Sequence, residues 1–467
     1  MSLASIKKSV LQKIKPGQEE EKKINEFITG IIRVAEVVSR AQPIIVGSMG
    51  RGTWLRGDHD IDLFLMFDKG VSREGLEKMG MENAREIVSQ LKGKHEVKYA
   101  EHPYLRAFFG SLKVDIVPCY RIGQGEKIIS AVDRSPLHVE YVTPRLTQSM
   151  RDDVRVLKQF CKGIGVYGSE AKTLGISGYV CELLVIRYGS FEKALAAVSK
   201  FMPGQIVDVE KHWDAGKEEI QKNIRKLFRN QPLVVIDPVD RERNVAAVLS
   251  CENFMKFVKA SCSFIKRPSM SHFYPDPRPL SQKEFRMLQE RKTKFFSVYF
   301  CKPDVIDDIL YPQLRKAMER ISTVLEHSEF RVIRKHCFVD AKSRKILLTF
   351  EMECWELPLI NNMPGPPIFD TKNSSSFLKK YSKPVFGPYV EGCNWVIDKK
   401  RSFKTADDAV RQFLSASAKK LHQNGIPGEV AKVIFKPRIV QHEEFWNMLR
   451  KDARFSDFMR QRYFETY

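Results

Sequence analysis

Three aspartates in the first third of the chain are spaced as ligands for divalent metal ions. Asp60 and Asp62 head an apolar run, so on a strand both carboxylates point to the same face. Asp115 lies in a second short β-type run, 113–118, and pairing the two strands would bring its carboxylate to the same place. Mg²⁺ prefers hard oxygen ligands and leaves positions open for substrate phosphates. A pair of such ions can activate an attacking hydroxyl and stabilise a leaving pyrophosphate.

A Gly-Ser turn precedes the paired aspartates. Ser48 follows Gly47, and Arg51 comes three residues later. The serine hydroxyl and the free N–H groups at a helix start can cradle triphosphate oxygens, and the arginine adds charge. Taken singly, Ser48 reads as a helix cap and an Asp-x-Asp pair as a solvated turn. The order strand, Gly-Ser turn, short helix, strand with two carboxylates and third carboxylate favours nucleotidyl transfer.

Composition restricts the class of protein and its partners. The chain has 467 residues, 43% of them hydrophobic, and carries 78 Lys and Arg against 57 Asp and Glu, a net charge of +21. This surplus predicts a polyanionic partner, namely nucleic acid. The nine cysteines form no Cys-x-x-Cys pair, which argues against a zinc ribbon and a disulfide framework and fits a reducing cytoplasm. We find no signal-peptide core and no apolar run near the ~20 residues of a membrane span.

The elements that would position these residues predict an α+β protein of several domains. We expect a mixed sheet with helices over residues 1–145, a helical domain over 146–268, and an α+β region over 269–467. The last two would be joined by a proline-rich linker near 266–281. The C-terminal region begins with a strand, helix and hairpin, a module often laid against RNA. Further on we expect an irregular insertion over 356–376 and a single strand over 389–397.

One predicted helix of the central domain combines an apolar stripe with a basic one. Its basic residues, spaced three or four apart, are Arg151, Arg155, Lys158 and Lys162. Such a stripe is usually a solvated face, and we expect this for all of them except Lys158.

These motifs together resemble those of archaeal-type (class I) CCA-adding enzymes, tRNA nucleotidyltransferases of the polymerase β superfamily. Beyond the Gly-Ser turn and the aspartates, the resemblance includes three further stretches: 166–170 (VYGSE), 175–184 (GISGYVCELL) and 237–246 (DPVDRERNVA). It implies a polymerase β-like nucleotidyltransferase domain, a helical central domain and C-terminal α+β RNA-binding domains.

The resemblance also implies roles for individual residues. Asp60, Asp62 and Asp115 would bind Mg²⁺, and Asp115 would help lower the pKa of the tRNA 3′-hydroxyl. The residues expected to bind the nucleotide are Ser48, Arg51, His138, Lys158, Tyr167 and Arg243. Arg243, expected at the start of a helix, would recognise the base. Members of this class often carry Glu where Asp60 stands. Aspartate is one methylene shorter, and we do not interpret the difference as loss of activity.

The implied function is template-independent addition of CCA to the 3′ end of tRNA from CTP and ATP. The C-terminal region would hold the acceptor stem, and the family suggests a homodimer. Two alternatives stay open at this stage. One is a poly(A) polymerase or oligoadenylate synthetase, which shares the Gly-Ser and carboxylate pattern and differs in product length. The other is an RNA-binding protein with an inactive site, which the joint presence of Ser48, Arg51 and all three aspartates disfavours.

Overall fold

A computed structural model describes residues 2–99, 101–213, 218–340 and 342–464. The chain forms two compact units, Met1–Asp276 and Pro277–Thr466, and the boundary between them falls in the proline-rich segment. Division of the N-terminal unit at residue 145 stays a prediction. Within the described ranges, no helix is both long and apolar enough to cross a lipid bilayer.

The N-terminal unit combines a mixed sheet with a helical part. Its helices are α1 (Leu3–Ile14), α2 (Gln18–Val38), α3 (Gly47–Gly50), α4 (Arg73–Gln90), α5 (Arg134–Val142), α6 (Gln148–Gly163), α7 (Gly178–Tyr188), α8 (Phe191–Val198), α9 (Glu218–Leu227) and α10 (Cys251–Lys266). Its strands are β1 (Gln42–Val46), β2 (Asp60–Phe67), β3 (Lys94–Tyr99), β4 (Pro103–Phe109), β5 (Leu112–Tyr120), β6 (Gln205–Val207), β7 (Leu233–Asp237) and β8 (Asp240–Asn244).

The first sheet has the order β1-β2-β5-β4-β3 and carries the aspartates. β2 and β5 run parallel, and the other neighbours are antiparallel. The parallel register places Asp62 beside Asp115 and Asp60 beside Lys113. Apolar residues alternating with these, such as Leu63 and Ile116, are fully buried in the core shared with α2 and α4. The predicted mixed sheet with helices is confirmed.

Local signals define the two helices that complete the site. The Thr147 side chain caps α6 by accepting from Met150 N at 3.3 Å. The Ser177 side chain caps α7 by accepting from Val180 N at 3.2 Å, and α7 ends at Gly189, whose φ is +88°. Their apolar faces pack with α8 and α10 into one core.

The expectation that Arg155 lies on a solvated face of α6 is wrong, whereas Lys162 is exposed as expected. Arg155 is 2% exposed, and it donates through Nε to Trp54 O at 2.9 Å and through Nη2 to Gly52 O at 2.8 Å. These carbonyls belong to the loop after α3, and buried carbonyls need donors. The packing of α6 against that loop therefore overrides the amphipathic pattern.

Arg243 lies on strand β8, and the expectation that it begins a helix is wrong. Asp237 and Asp240 pair across a tight turn that contains Pro238, so the chain reverses and returns as β8. The next helix, α10, begins only after the capping residue Ser250. The turn chemistry of this segment was stronger than its helical pattern.

The C-terminal unit contains two sheets with helices. Its helices are α11 (Gln282–Glu290), α12 (Asp307–His327), α13 (Thr371–Lys380), α14 (Ala406–Leu414), α15 (Ala418–Gln423), α16 (Gly428–Ile434), α17 (His442–Lys451) and α18 (Ala453–Phe464). Its strands are β9 (Lys294–Cys301), β10 (Arg331–Asp340), β11 (Lys345–Cys354), β12 (Ile360–Pro367), β13 (Phe386–Glu391), β14 (Asn394–Lys400) and β15 (Arg438–Val440). The sheet orders are β10-β11-β9-β15 and β12-β14-β13.

Two expectations for this unit are wrong. The segment 356–376, expected to be irregular, contains β12 and the start of α13, and the segment 389–397 is a hairpin rather than one strand. Its turn contains Gly392 with a φ of +56°. Pro364 is accommodated because β12 is an edge strand, where a missing backbone donor costs no ladder hydrogen bond on the open side.

Candidate active site

The Gly-Ser turn and the aspartates meet at the end of β1. Gly47 has a φ of +66°, a left-handed conformation that favours glycine. A Cβ atom at Gly47 would lie 2.3 Å from Asp62 Oδ2. Ser48 follows within α3, and its carbonyl accepts from Thr53 N at 2.9 Å. The turn is thus held directly against the carboxylate of Asp62.

The three aspartates differ in their surroundings. Burial, followed by the charges of Asp115 and Asp60, raises the pKa of Asp62 from 3.8 to about 6. Arg106 on β4 makes two hydrogen bonds to Asp115, from Nε to Oδ1 at 2.7 Å and from Nη2 to Oδ2 at 2.8 Å. Lys113 Nζ lies 2.7 Å from Asp60 Oδ1, and 61% of the Asp60 side chain is exposed.

The donor set fits a divalent cation, although its carboxylates are partly engaged by arginine and lysine. Within the described residues, no three Asp, Glu, His or Cys side chains are already converged as metal ligands. Burial and then the charges of Asp115 and Asp60 raise the pKa of Asp62; a bound cation relieves the repulsion among these carboxylates, and all three donors are hard oxygens. The residues present therefore suit a divalent cation.

A fully buried carboxylate organises three residues beside the turn. Glu182, on α7, accepts through Oε2 from Arg51 Nε at 2.6 Å and through Oε1 from the Thr53 hydroxyl. Lys158, on α6, donates to Thr53 O and to Thr53 Oγ1, both at 3.0 Å, and its Nζ lies 3.7 Å from Glu182 Oε1. We call Arg51, Thr53, Lys158 and Glu182 the Glu182 cluster.

Tyr167 adjoins this cluster at the start of α7. A Cβ atom at Gly178 would lie 3.1 Å from both Lys158 Cε and the Tyr167 hydroxyl, so glycine is what lets the two side chains approach there. Burial raises the pKa of Tyr167 well above its ordinary value, which keeps the hydroxyl a hydrogen-bond donor.

A second buried carboxylate, Asp237 at the end of β7, holds the other two predicted nucleotide-binding residues. Its Oδ2 lies 3.0 Å from His138 Nε2 and 2.6 Å from Arg243 Nη1, and its Oδ1 accepts from the Tyr179 hydroxyl at 3.2 Å. Burial lowers the pKa of His138 despite this carboxylate, so the imidazole is neutral near pH 7. His138, Tyr179 and Arg243 line a cleft of about 650 Å³, a size suited to a small ligand.

Tyr179 joins the two groups. Its ring stacks on His138 with centroids 4.0 Å apart, and the Arg51 guanidinium lies 5.6 Å from the same ring. The charge of Arg51 also acts to lower the pKa of Asp62, so these two side chains interact electrostatically. The structure therefore brings the residues singled out by sequence into one connected region of the N-terminal unit.

Sequence reasoning missed the side chains that hold this region in place. No role was assigned to Glu182, Asp237, Tyr179 or Arg106. For Glu182 a signal was present, since it is an acidic residue inside the apolar run 179–186 and such a residue needs a buried partner. Arg106 lies between the buried residues Leu105 and Ala107, which places its side chain on the opposite face of the strand. No feature of the nearby sequence identifies Asp115 as its partner.

Three family models match successive parts of the chain. They are the nucleotidyltransferase domain (residues 31–138), the second domain of tRNA nucleotidyltransferase (152–274) and the C-terminal domain of the CCA-adding enzyme (291–440). The CCA-adding enzyme of Methanosarcina acetivorans is 38% identical over 424 residues, which cover 88% of this chain and 90% of that protein. The chain belongs to the CCA-adding enzyme family.

Other archaeal CCA-adding enzymes match similarly. That of Methanocaldococcus jannaschii is 38% identical over 400 residues, covering 82% of this chain and 85% of that protein. That of Haloarcula marismortui is 37% identical over 401 residues, with 82% of each chain covered. The predicted family and enzyme class are confirmed, and membership of the CCA-adding enzymes favours CCA addition over polyadenylation and over an inactive RNA-binding protein.

Proposed function

We propose that this CCA-adding enzyme extends the 3′ end of tRNA with CTP and ATP at the site formed by the three aspartates, the Gly-Ser turn and the two buried carboxylate groups. The observation that carries the proposal is the register of the parallel strands. It sets Asp62 beside Asp115 while Gly47 abuts the Asp62 carboxylate. A triphosphate on the turn would then adjoin the point on β2 and β5 where these acids meet.

In the proposed reaction the tRNA 3′-oxygen forms a bond to the α-phosphorus, and the bond from that phosphorus to the bridging oxygen breaks, releasing pyrophosphate. Asp60, Asp62 and Asp115 would hold Mg²⁺, which when bound lowers the pKa of the attacking hydroxyl and neutralises the leaving group. The protein contributes position: β2 and β5 fix two of the carboxylates at neighbouring points of one sheet.

The residues expected to bind the nucleotide fall into two groups, those that would contact the triphosphate and one that would contact the base. Arg51 gives its Nε to Glu182, and the terminal nitrogens of its guanidinium suit phosphate oxygens. Ser48 at the helix start, Lys158 and the Tyr167 hydroxyl would complete the contacts to the triphosphate. His138 would adjoin it from the cleft beside Asp237.

Arg243 would read the base. It lines the cleft, 37% of its side chain is exposed, and Asp237 holds one of its terminal nitrogens. Its remaining directed donors suit the acceptor edge of cytosine or adenine. In this proposal, protein and tRNA end together replace a nucleic-acid template.

The C-terminal unit and the +21 charge would bind the acceptor stem, mainly through its phosphates. We place the enzyme in the cytoplasm, in keeping with its nine free cysteines and its tRNA substrate. The homodimer implied by the family belongs to this proposal, and sedimentation of the purified protein measures it.

Sequencing of product ends tests the function. Purified protein is incubated with Mg²⁺ and a tRNA that ends at its discriminator base, with CTP, ATP or both. We expect two C residues with CTP alone and termination at CCA with both. A long A tail would move the assignment to a poly(A) polymerase. Asp62→Ala is expected to abolish incorporation while tRNA binding survives, and unchanged incorporation would refute the assigned site.

A further inference from the structure

We propose that Glu182 is a positioning residue for the triphosphate of the incoming nucleotide, fixing Arg51 directly and Lys158 through the hydroxyl of Thr53. This inference deepens the proposed function and rests on it for the role of the triphosphate. It assigns to one buried side chain the placement of two cations that lie 107 positions apart in sequence.

Glu182 is buried, and this restricts the orientation that its carboxylate can adopt. Glu182 is 0% exposed and Lys158 is 1% exposed, and Arg51 retains 8%. An ionised carboxylate is costly to remove from water unless it is paired and hydrogen-bonded. Glu182 meets both conditions with Arg51 and Thr53, so it is held in one orientation by bonds to both of its oxygens.

The cluster holds two basic side chains against one carboxylate. A structural ion pair needs one cation for one carboxylate, whereas Glu182 binds Arg51 and also has Lys158 Nζ at 3.7 Å from its Oε1. Burial and the charge of Arg51 act to lower the pKa of Lys158, and the charge of Glu182 acts to raise it. The second basic side chain suits a polyanion placed next to the cluster.

The cluster also spans three separate elements. Arg51 and Thr53 follow the Gly-Ser turn, Lys158 is on α6 and Glu182 is on α7. Thr53 Oγ1 accepts a hydrogen bond from Lys158 and donates one to Glu182. Its hydroxyl therefore links the position of Lys158 on α6 to that of Glu182 on α7. A displacement of Glu182 would therefore move the donors on the turn and the ammonium of α6 together.

Tripolyphosphate is the probe, because it has the phosphates of a nucleotide and no base. Its affinity for the full-length protein and for Glu182→Gln is measured by calorimetry. Glutamine keeps the shape and one acceptor but removes the charge that holds Arg51 in place and that opposes the lowering of the Lys158 pKa. Although a negative charge is lost, we expect affinity to fall about tenfold because neither basic side chain is then held for the phosphates, as for loss of a charged hydrogen-bonded partner. KM for CTP and for ATP should rise by the same factor, since the base is not involved, while tRNA affinity stays unchanged.

A matched control lies in the C-terminal unit. Glu351 is also fully buried and accepts from Arg291 Nε at 2.6 Å and from Thr293 Oγ1 at 2.7 Å. Glu351→Gln removes the same kind of charge from the same kind of contact, and we expect tripolyphosphate affinity to be unchanged. An equal loss in both variants would show that any buried carboxylate has this effect and would overturn the inference.

A second variant guards against a failure of Glu182→Gln to fold. Thr53→Val keeps the branched shape and removes only the relaying hydroxyl, and we expect about a threefold loss of tripolyphosphate affinity. Unchanged affinity in Glu182→Gln, or in Thr53→Val if the first variant does not fold, would overturn the inference. If the wild-type protein binds tripolyphosphate but adds no CCA, the proposed function fails and the positioning role is judged on these affinities alone.

Discussion

The two units of this protein each bury a carboxylate between an arginine and a threonine, but the third partner differs. Glu182 in the N-terminal unit has Lys158 within 3.7 Å. Glu351 in the C-terminal unit instead accepts from the hydroxyl of Tyr463 at 2.7 Å. One group therefore holds two cations against one anion, and the other pairs one cation with one anion and adds a neutral donor.

This difference distinguishes a group that can bind substrate from an ion pair that only stabilises the fold. Burial acts to raise the pKa of Glu351, but hydrogen bonds from Arg291, Tyr463 and Thr293 hold it below its ordinary value, so the charged form is satisfied within the group. The Glu182 cluster has a second basic side chain, Lys158, that a substrate phosphate can meet. A buried ion pair by itself is weak evidence for function; the second basic side chain and the adjacent left-handed glycine turn are what distinguish the first group.

The largest expected effect comes from Gly47→Ala compared with Gly392→Ala. Both glycines have positive φ, so alanine strains each backbone by about 1 kcal/mol. At Gly47 the new Cβ would also lie 2.3 Å from Asp62 Oδ2, whereas nothing lies within 4 Å at Gly392. We expect Gly47→Ala to lower kcat/KM for CTP addition by about 100-fold or more, because a small misplacement at a reacting centre has this cost.

Gly392→Ala should leave kcat/KM for CTP addition within about twofold, since its expected effect of about 1 kcal/mol falls on folding alone. Steady-state kinetics of both variants decides between these outcomes. Similar losses in the two would mean that backbone strain, and not the contact with Asp62, determines the effect.

Glu351→Gln tests the supporting role of the second group. The substitution leaves Arg291 with a neutral acceptor in place of its charged partner, and we expect the C-terminal unit to lose about 2 to 3 kcal/mol of stability, as for a hydrogen bond to a charged group. Hydrogen exchange of peptides from β9 and β11, followed by mass spectrometry, measures this loss locally. Protection equal to that of the wild-type protein would mean that the ion pair contributes nothing to this sheet.

The smallest effect concerns the pH dependence of stability without metal. The folded protein retains the proton of Asp62 up to about pH 6, while the unfolded chain releases it near the ordinary value of 3.8. The unfolded state therefore binds fewer protons in this window, and stability should fall by about 2 kcal/mol as pH rises through it. Asp62→Asn should lack this decrease.

Urea unfolding in EDTA from pH 4 to 7, for the wild-type protein and Asp62→Asn, measures the difference between the two curves, in which other titrating groups cancel. Glu351 is not one of the predicted metal ligands, so Glu351→Gln should keep the decrease in stability between pH 4 and 7. A difference curve that is flat with pH would show that Asp62 is not held protonated by its neighbours.

Local pattern was enough to predict the sheet that carries the aspartates and the helices that cover it. The apolar run headed by Asp-x-Asp predicts a strand and puts Asp60 and Asp62 on one face, because side chains alternate along a strand. The errors fell where context competed with local preference. Arg155 is buried because the loop after α3 needs donors, and Arg243 is on a strand because the turn at Pro238 reverses the chain.

The sequence by itself determined the family, the acids, the Gly-Ser turn and the residues with charges suited to phosphate, since these depend on residue type and short spacing. Only the tertiary structure decided their partners. Glu182 meets Arg51 across 131 residues, and Asp237 meets His138 across 99. Which buried carboxylate holds which cation depends on how α6 and α7 pack against the turn, and burial in a low dielectric then makes each pairing obligatory.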